Sequence, residues 1–218
     1  MENSSRQENE RLIWDKIAKS YDRNVMKTYE TAYRRTIEAI LEEVDSSSKV
    51  LEVGCGTGII AMAVAPEVKE ITGVDISPKM IAQAQKKIRK SSLDNITFQV
   101  EDGYHLSFAD STFDVVLLTN LLHIVADPAA ILKEAHRLLN PGGLLVTVTD
   151  CLAERVPLKI RLNLMELRLL KLLGRVKFIR FFRKSDLKAL LNDHGFNIEK
   201  EAEFHPAPVN YYLTGKRL

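Results

Sequence analysis

Between residues 49 and 150, short apolar segments alternate with segments of helical periodicity, and this alternation limits the fold more than any other feature of the sequence. Strands are predicted at residues 49–54, 70–76, 96–100, 113–119 and 144–149. Helices are predicted between them at residues 57–65, 77–89 and 127–139. Strands that alternate with helices form a parallel sheet with helices on both faces, so we predict a doubly wound α/β domain.

The flanking segments follow other patterns. Two N-terminal helices are predicted at residues 7–21 and 28–44, and a last helix at residues 185–192 ends at the C-cap signal His194-Gly195. Two further strands, at residues 197–204 and 208–216, are typical of a terminal hairpin. We expect one domain of 218 residues, made of a helical cap (1–48), a core (49–150), an insertion (151–184) and a closing helix with hairpin (185–218).

Composition excludes several classes of protein. The net charge is only +2, so the chain as a whole does not have the basic character of a nucleic-acid-binding protein. Two cysteines are too few for a disulfide framework. The first ten residues are polar, and no stretch is long and apolar enough to span a bilayer, so we expect a cytoplasmic protein.

A glycine-rich turn follows the first strand. Gly54, Gly56 and Gly58 allow positive φ and let a ligand lie against the backbone, although a tight strand-to-helix turn needs no ligand. A dinucleotide site requires the spacing G-x-G-x-x-G, and here Ile59 stands at the third glycine. The spacing also differs from that of a P-loop.

An aspartate follows each of the next two strands. Asp75 ends the second strand, where a carboxylate accepts hydrogen bonds from both hydroxyls of a ribose, and Asp102 follows the third, where it accepts one from an exocyclic amine. Asp75 could instead be a charge at a helix N-terminus, and Asp102 a turn residue before Gly103. In parallel sheets ligands bind beyond the carboxyl ends of the strands, which favours a ligand-binding role for the pair.

Four ordered motifs resemble those of class I S-adenosylmethionine-dependent methyltransferases. They are residues 50–58, Gly73-Val-Asp-Ile-Ser77, residues 101–108 with 113–116, and Leu139-Asn-Pro-Gly-Gly143. The chain is most similar to the small-molecule branch that includes the ubiquinone and menaquinone C-methyltransferases, which residues 14–22 also resemble. The resemblance implies a mostly parallel seven-stranded sheet in the order 3-2-1-4-5-7-6, with the last strand antiparallel and a helical lid before the last helix.

The resemblance also implies roles for individual residues around S-adenosylmethionine. The methionine part would lie on the turn at Gly54, Cys55 and Gly56, which Glu52 organises together with the cofactor's amino group. The remaining contacts implied are Asp75 to the ribose, Ile76 and Met80 beside the adenine, Asp102 and Gly103 at the adenine edge, the Asn120 carbonyl to the amino group, and Tyr21 closing over the site. No metal ion is expected.

The acceptor side is less specified. His123, just past the fourth strand, is a candidate general base, or a histidine that only shapes the pocket. The N/D-P-P-Y/F pattern of DNA and some protein or RNA N-methyltransferases is absent at residues 120–123, so we expect a small-molecule acceptor and no DNA.

Residues 151–184 carry ten basic and two acidic side chains, a local charge of +8. They are predicted to form a lid over the acceptor, with leucines along one helix face. Phe178, Phe181 and Phe182 among basic residues suggest, as alternatives, contact with an anionic membrane or with RNA. The sequence does not choose between a monomer and a homodimer.

Three functions follow in order of support. The first is methyl transfer to a small hydrophobic or amphipathic molecule, the second a catalytically silent binding module with the same fold. A dinucleotide oxidoreductase is disfavoured by Ile59.

Overall fold

A computed structural model describes residues 2–154, 156–172 and 178–218. Its centre is a seven-stranded sheet in the order β3-β2-β1-β4-β5-β7-β6. Strands β1 to β5 are parallel, and β7 is antiparallel to both β5 and β6. The predicted fold class and strand order are therefore confirmed.

The bounds of the strands and helices are as follows. The strands are β1 (Lys49–Val53), β2 (Glu70–Asp75), β3 (Ile96–Val100), β4 (Phe113–Thr119), β5 (Leu139–Cys151), β6 (Phe196–Pro206) and β7 (Val209–Arg217). The helices are α1 (Glu2–Ile17), α2 (Tyr21–Leu41), α3 (Ile59–Val64), α4 (Pro78–Ile88), α5 (Pro128–Leu138), α6 (Leu158–Leu172) and α7 (Lys184–Asp193). A 3-10 turn, Ala65–Glu67, follows α3.

Helices α4 and α5 begin with the same local chemistry. The side chain of Ser77 accepts a hydrogen bond from the Met80 amide, and the Asp127 carboxylate accepts from the Ala129 and Ala130 amides. Proline occupies the first turn of each helix, where its missing N–H costs no hydrogen bond. These caps set the point at which the chain leaves the carboxyl edge of the sheet.

Apolar side chains cover both faces of the sheet. Helices α5 and α7 pack on one face through Leu132, Leu138 and Leu187, while α2, α3 and α4 cover the other. The central strands are buried on both sides, as in other parallel sheets. This rigid layer holds the loops at the carboxyl ends of β1 to β4 in fixed positions.

The predicted starts of α2 and β5 differ from the structure. Helix α2 begins at Tyr21 and is kinked at Tyr29, whose φ of −124° and ψ of 16° are not helical, so the predicted start at residue 28 matches the kink. Strand β5 begins at Leu139, because residues 140–143 bulge between the pairs Phe113–Leu139 and Val115–Leu144 instead of separating the preceding helix from a strand that starts at residue 144. Gly142, with φ +73°, supplies the backbone conformation for this bulge.

Candidate active site

The loops after β1, β2, β3 and β4 meet with α1 at one cavity on the carboxyl edge of the sheet. Nine of the residues predicted to bind a cofactor line it: Tyr21, Gly54, Gly56, Asp75, Ile76, Met80, Asp102, Gly103 and Asn120. Glu52 and Cys55 lie outside its lining, and His123 lines a neighbouring cavity. The sequence thus predicted which loops converge, while the role of each side chain stays a prediction.

The glycine turn is closed by backbone geometry that other residues rarely adopt. Gly54, Gly56 and Gly58 have φ values of +71°, +55° and +77°. A Cβ on Gly58 would overlap the Phe98 ring. At Gly56 the nearest atom to such a Cβ is Cε1 of Tyr21, at 3.9 Å, so the backbone there is open towards the cavity.

Asp75 joins the turn to the start of α4. Its Oδ2 accepts from the Gly56 amide at 2.9 Å, and its Oδ1 accepts from the Ser77 amide at 2.8 Å. Burial raises the pKa of Asp75 to about 6, against the lowering effect of these two hydrogen bonds. A carboxylate has about four lone-pair positions, so both oxygens can still accept hydroxyl hydrogens from the cavity.

Glu52 lies beneath the cavity instead of facing it. Its carboxyl group accepts from Thr119 Oγ1 at 2.7 Å and from the Ala61 amide at 3.0 Å. Burial raises the pKa of Glu52 to about 7. Thr119 does line the cavity, so Glu52 reaches the site through this hydroxyl and fixes β4 against α3.

Cys55 points away from the cavity. Its side chain is buried with Phe98, Ile60 and other apolar residues, and its sulfur lies 3.0 Å from the position that a Cβ on Gly73 would take. Burial raises the pKa of the thiol. Only the backbone of Cys55 is placed to contribute to the turn.

The sequence did not indicate what holds Asp102. Arg6 of α1 forms an ion pair with Asp102, and Gln7 Nε2 donates to the same carboxylate at 2.6 Å. The Arg6 guanidinium also lies 3.9 Å from the centroid of the Tyr104 ring and 2.8 Å from Glu10. Asp102 is 96 residues from Arg6, and no local pattern signals a contact at that separation.

Other contacts fasten the N-terminal helices to the cavity. Asp15 accepts from Ser77 Oγ at 2.6 Å and from the Lys79 amide at 3.2 Å. Asp22 of α2 pairs with Lys87 at 2.8 Å and accepts a hydrogen bond from Thr57. Glu10 and Trp14 consequently line the cavity, whose volume is about 80 Å³ with α1 in this position.

A second cavity of about 150 Å³ adjoins the first, and Trp14, Tyr21, Asn120 and Ile124 line both. Its other lining residues are Val25, Tyr29, Ala32, Tyr33, His123, Asp150 and Asn210. His123 Nε2 lies 3.9 Å from Asp150 Oδ2, and burial lowers the pKa of the imidazole while Asp150 raises it. The candidate general base therefore lies beside the nine cofactor-site residues without being part of their cavity.

The described part of the insertion does not consist only of solvated basic residues. The Arg180 amide donates to the His123 carbonyl at 2.7 Å, and its guanidinium bonds to the Val125 and Ala126 carbonyls. Phe182 packs against the apolar side chains between the sheet and helices α5 and α7. Of the leucines predicted on one helix face, Leu173 lies outside the described residues.

No group of three or more histidine, cysteine, aspartate or glutamate side chains suited to a metal ion occurs within residues 2–154, 156–172 and 178–218. Over the same residues, none of the helices combines the length and apolarity needed to cross a membrane.

Comparison with known proteins identifies residues 51–147 as a methyltransferase domain. The chain is 34% identical over 138 residues to a demethylmenaquinone methyltransferase of Tropheryma whipplei, covering 62% of this chain and 56% of that protein. It is 33% identical over 151 residues to one from Staphylococcus epidermidis, covering 66% and 61%. The chain thus spans about three-fifths of the length of these curated relatives.

Solved structures agree with this assignment. A SAM-dependent methyltransferase from Methanosarcina mazei superposes with a TM-score of 0.67 at 25% identity, covering 83% of this chain and 97% of that one. An S-adenosylmethionine-dependent methyltransferase from Mesorhizobium loti gives a TM-score of 0.66 at 22% identity, covering 85% and 98%. The resemblance to class I methyltransferases, and in sequence to those of the quinone-methylating branch, is confirmed, and S-adenosylmethionine is the cofactor that this resemblance implies.

Proposed function

We propose that this chain, whose residues 51–147 form a methyltransferase domain, transfers a methyl group from S-adenosylmethionine to a small hydrophobic or amphipathic molecule. The observation that carries the proposal is the meeting of the glycine turn, Asp75 and Asp102 in one cavity. A second cavity opens beside it, where an acceptor has room next to the donor.

The residues around the first cavity fit the cofactor in their chemistry. The backbone at Gly54 and Gly56, which is open towards the cavity at Gly56, would lie against the methionine part, and Asp75 would accept from the ribose hydroxyls. Asp102 and Gly103 would meet the adenine edge, with Ile76 and Met80 beside the ring. The Asn120 carbonyl and the Glu52–Thr119 pair would serve the amino group, and Tyr21 would cover the turn.

S-adenosylmethionine, when bound, supplies a methyl group on a positively charged sulfur. The protein's part is to position the acceptor in line with that methyl group and to exclude water. His123 lines the second cavity and would accept the acceptor's proton as a general base, a role favoured by the lowering of its pKa through burial.

Isothermal titration with S-adenosylhomocysteine tests the proposal. Replacing Asp75 by alanine removes a charged hydrogen-bond acceptor worth about 1.5–3 kcal/mol, so we expect binding about 10- to 100-fold weaker. Asp94→Ala, an exposed aspartate before β3 at the opposite edge of the sheet, is the control and should bind as the parent chain does. Failure of the parent chain to bind either S-adenosylmethionine or S-adenosylhomocysteine would refute the proposal, and binding without turnover on any acceptor would leave the silent binding module.

A second proposal concerns the partner of the insertion, for which we favour an anionic membrane over RNA. Five apolar side chains on one face of α6 are between 53% and 84% exposed: Leu158, Leu162, Met165, Leu169 and Leu172. Arg161 and Arg168 follow the same helical spacing along one edge of this stripe. An apolar stripe beside cations matches a bilayer surface, whereas the aromatic rings that RNA would stack on are half-buried at Phe181 and Phe182.

Co-sedimentation with vesicles tests this surface. The parent chain should bind vesicles that contain anionic lipid, less so at high salt, and the double variant Leu162→Glu, Leu169→Glu should stay in the supernatant. Equal sedimentation of parent and variant, or binding to RNA that the variant retains, would contradict it. A cytoplasmic location stays a prediction. Light scattering would distinguish a monomer from a homodimer.

A further inference from the structure

The second cavity has an unusual combination of walls. Four aromatic side chains line it, Trp14, Tyr21, Tyr29 and Tyr33, together with the carboxylate of Asp150. We propose that this cavity is the acceptor site and that it selects a cationic amine, held by the aromatic faces and Asp150 and methylated on nitrogen. The inference rests on the proposed function and names the acceptor class for it.

The aromatic rings meet at steep angles. Trp14 and Tyr21 have ring centroids 6.5 Å apart and planes 80° to one another, so they form a corner rather than a stack. Tyr21 Oη and Tyr33 Oη are 3.3 Å apart, which ties the third ring to this corner. An ammonium group within about 6 Å of the face of such a ring is attracted by the ring's quadrupole.

The charge of the cavity has one sign. Asp150 is its only carboxylate, and no lysine or arginine is found among the described residues that line it. The negative charge of Asp150 also raises the pKa of the Tyr29 phenol, after the larger effect of burial, so Tyr29 lies within reach of its field. A cation is attracted to such a site, whereas a carboxylate or phosphate group would be repelled.

Asp150 is held in place from the terminal hairpin. Asn210 Nδ2 donates to Asp150 Oδ1 at 2.7 Å and to Asn120 Oδ1 at 3.1 Å, while Asp150 Oδ2 stays towards His123. Because Oδ2 and His123 Nε2 are 3.9 Å apart, they do not bond to each other directly. A ligand nitrogen that carries two or three hydrogens can donate to Asp150 Oδ2 and His123 Nε2 at once. A ligand hydroxyl group has only one hydrogen and can donate to only one of these two atoms.

The two polar groups then have separate tasks. Asp150 holds the ammonium form, and neutral His123 takes one proton at Nε2, which exposes the nitrogen lone pair. The nitrogen forms its new bond to the methyl carbon as the S–CH3 bond breaks, with that bonding pair retained by sulfur. The positive charge of the sulfonium passes to the methylated amine, and the proton released in the step before stays on His123 until solvent removes it.

Choline and 3,3-dimethyl-1-butanol are the probes for the test, because they share one shape and differ in charge. Each is titrated into the chain with and without S-adenosylhomocysteine. We expect choline to bind at least about tenfold more tightly than the alcohol, because the aromatic rings and the charge of Asp150 both favour the cation in a desolvated site. The ratio should fall in Asp150→Asn and also in Tyr29→Leu, a side chain at the rim of the cavity that is 37% exposed. It should be unchanged in Asp193→Asn, an exposed carboxylate at the end of α7.

Equal binding of the two probes by the parent chain would overturn the inference, as would a ratio that survives in Asp150→Asn. Should Asp150→Asn misfold, as judged by loss of S-adenosylhomocysteine binding, Tyr29→Leu decides, and an unchanged ratio there overturns the inference as well. A parent chain that binds S-adenosylhomocysteine but does not discriminate the probes leaves the proposed function standing. A chain that never binds S-adenosylhomocysteine refutes the proposed function, whatever the probes do.

Discussion

Replacing Ser77 by alanine should both loosen the attachment of α1 and lower the stability of the fold. The hydroxyl is fully buried, accepts a hydrogen bond from the Met80 amide at 3.1 Å and donates one to Asp15 Oδ1 at 2.6 Å. The first of these bonds caps α4, and the second links α4 to α1 across 62 residues. Alanine fills nearly the same volume, so the change removes hydrogen bonds and leaves little cavity.

The magnitude follows from the two bonds. Loss of a serine N-cap costs about 1 kcal/mol, and a hydrogen bond to a charged group contributes about 1.5–3 kcal/mol. Asp15 keeps the Lys79 amide at 3.2 Å and Arg11 at 3.2 Å, so the smaller end of the second range applies. We expect a loss of about 2–3 kcal/mol in the free energy of unfolding, or about 4–12 °C in Tm for a chain of this size.

Urea denaturation followed by circular dichroism measures the loss directly, with Ser91→Ala as the control. The Ser91 hydroxyl donates to the Ile88 carbonyl and accepts from the Leu93 amide, and the side chain is exposed, so its replacement should cost less than about 0.5 kcal/mol. A loss below 1 kcal/mol in Ser77→Ala would show that neither bond contributes as described. An unchanged slope with urea is also expected, because the unfolded surface does not change.

Two further changes probe the turn and the acid beneath it. Gly58→Ala should lower the free energy of unfolding by more than about 2 kcal/mol, since φ is +77° and the new Cβ would overlap Phe98. Gly142→Ala should cost only about 1 kcal/mol, because φ is similar, at +73°, but the new Cβ would meet only the end of a side chain at 3.7 Å. Equal losses of the two variants in chemical denaturation would contradict the overlap with Phe98. The pKa of Glu52 is raised from 4.5 to about 7, so the stability contributed by its protonated form is fully present below pH 4.5 and is lost as the pH rises through 7, a change of up to about 3 kcal/mol. Glu52→Gln should flatten this part of the stability profile, while Glu70→Gln should leave it as it is; an unaltered profile in Glu52→Gln would disprove the assignment.

Local pattern predicted the strands and the parallel core of the sheet, whereas the strand order came from the family resemblance. Strands β3 and β4 have the predicted bounds, because their apolar runs end at polar turn residues that nothing else in the fold overrides. Strand β5 is longer than predicted, because Asn140-Pro-Gly-Gly143 consists of residue types that favour turns and so does not indicate a strand. Pairing of Leu139 and of Leu144 with β4, before and after this segment, keeps it in the sheet despite its turn-forming residues.

The residues of the candidate site were likewise predicted where the signal is local and missed where it depends on distant parts of the chain. Asp75 and Asp102 were predicted because each follows a strand, and strand ends share an edge of the sheet. Arg6 and Glu10, both on α1, were missed because their partners lie elsewhere in the chain, and only the i,i+4 spacing of this pair is visible locally. Cys55 was placed at the cavity by its position in the turn, yet alternate φ signs turn its side chain to the apolar side.

The contact between Arg6 and Asp102 would couple ligand binding in the first cavity to the position of helix α1. Arg6 and Gln7 both bind Oδ2 of Asp102, and a volume of about 80 Å³ is well below the roughly 300 Å³ of ordinary ligand pockets, so we expect a ligand of ordinary size to enter only when α1 moves. Its apparent affinity would then be the intrinsic affinity reduced by the fraction of chains in which α1 has moved. Binding of S-adenosylmethionine and release of S-adenosylhomocysteine would then both require movement of α1. The N-terminal segment would control the rate of cofactor exchange without taking part in methyl transfer.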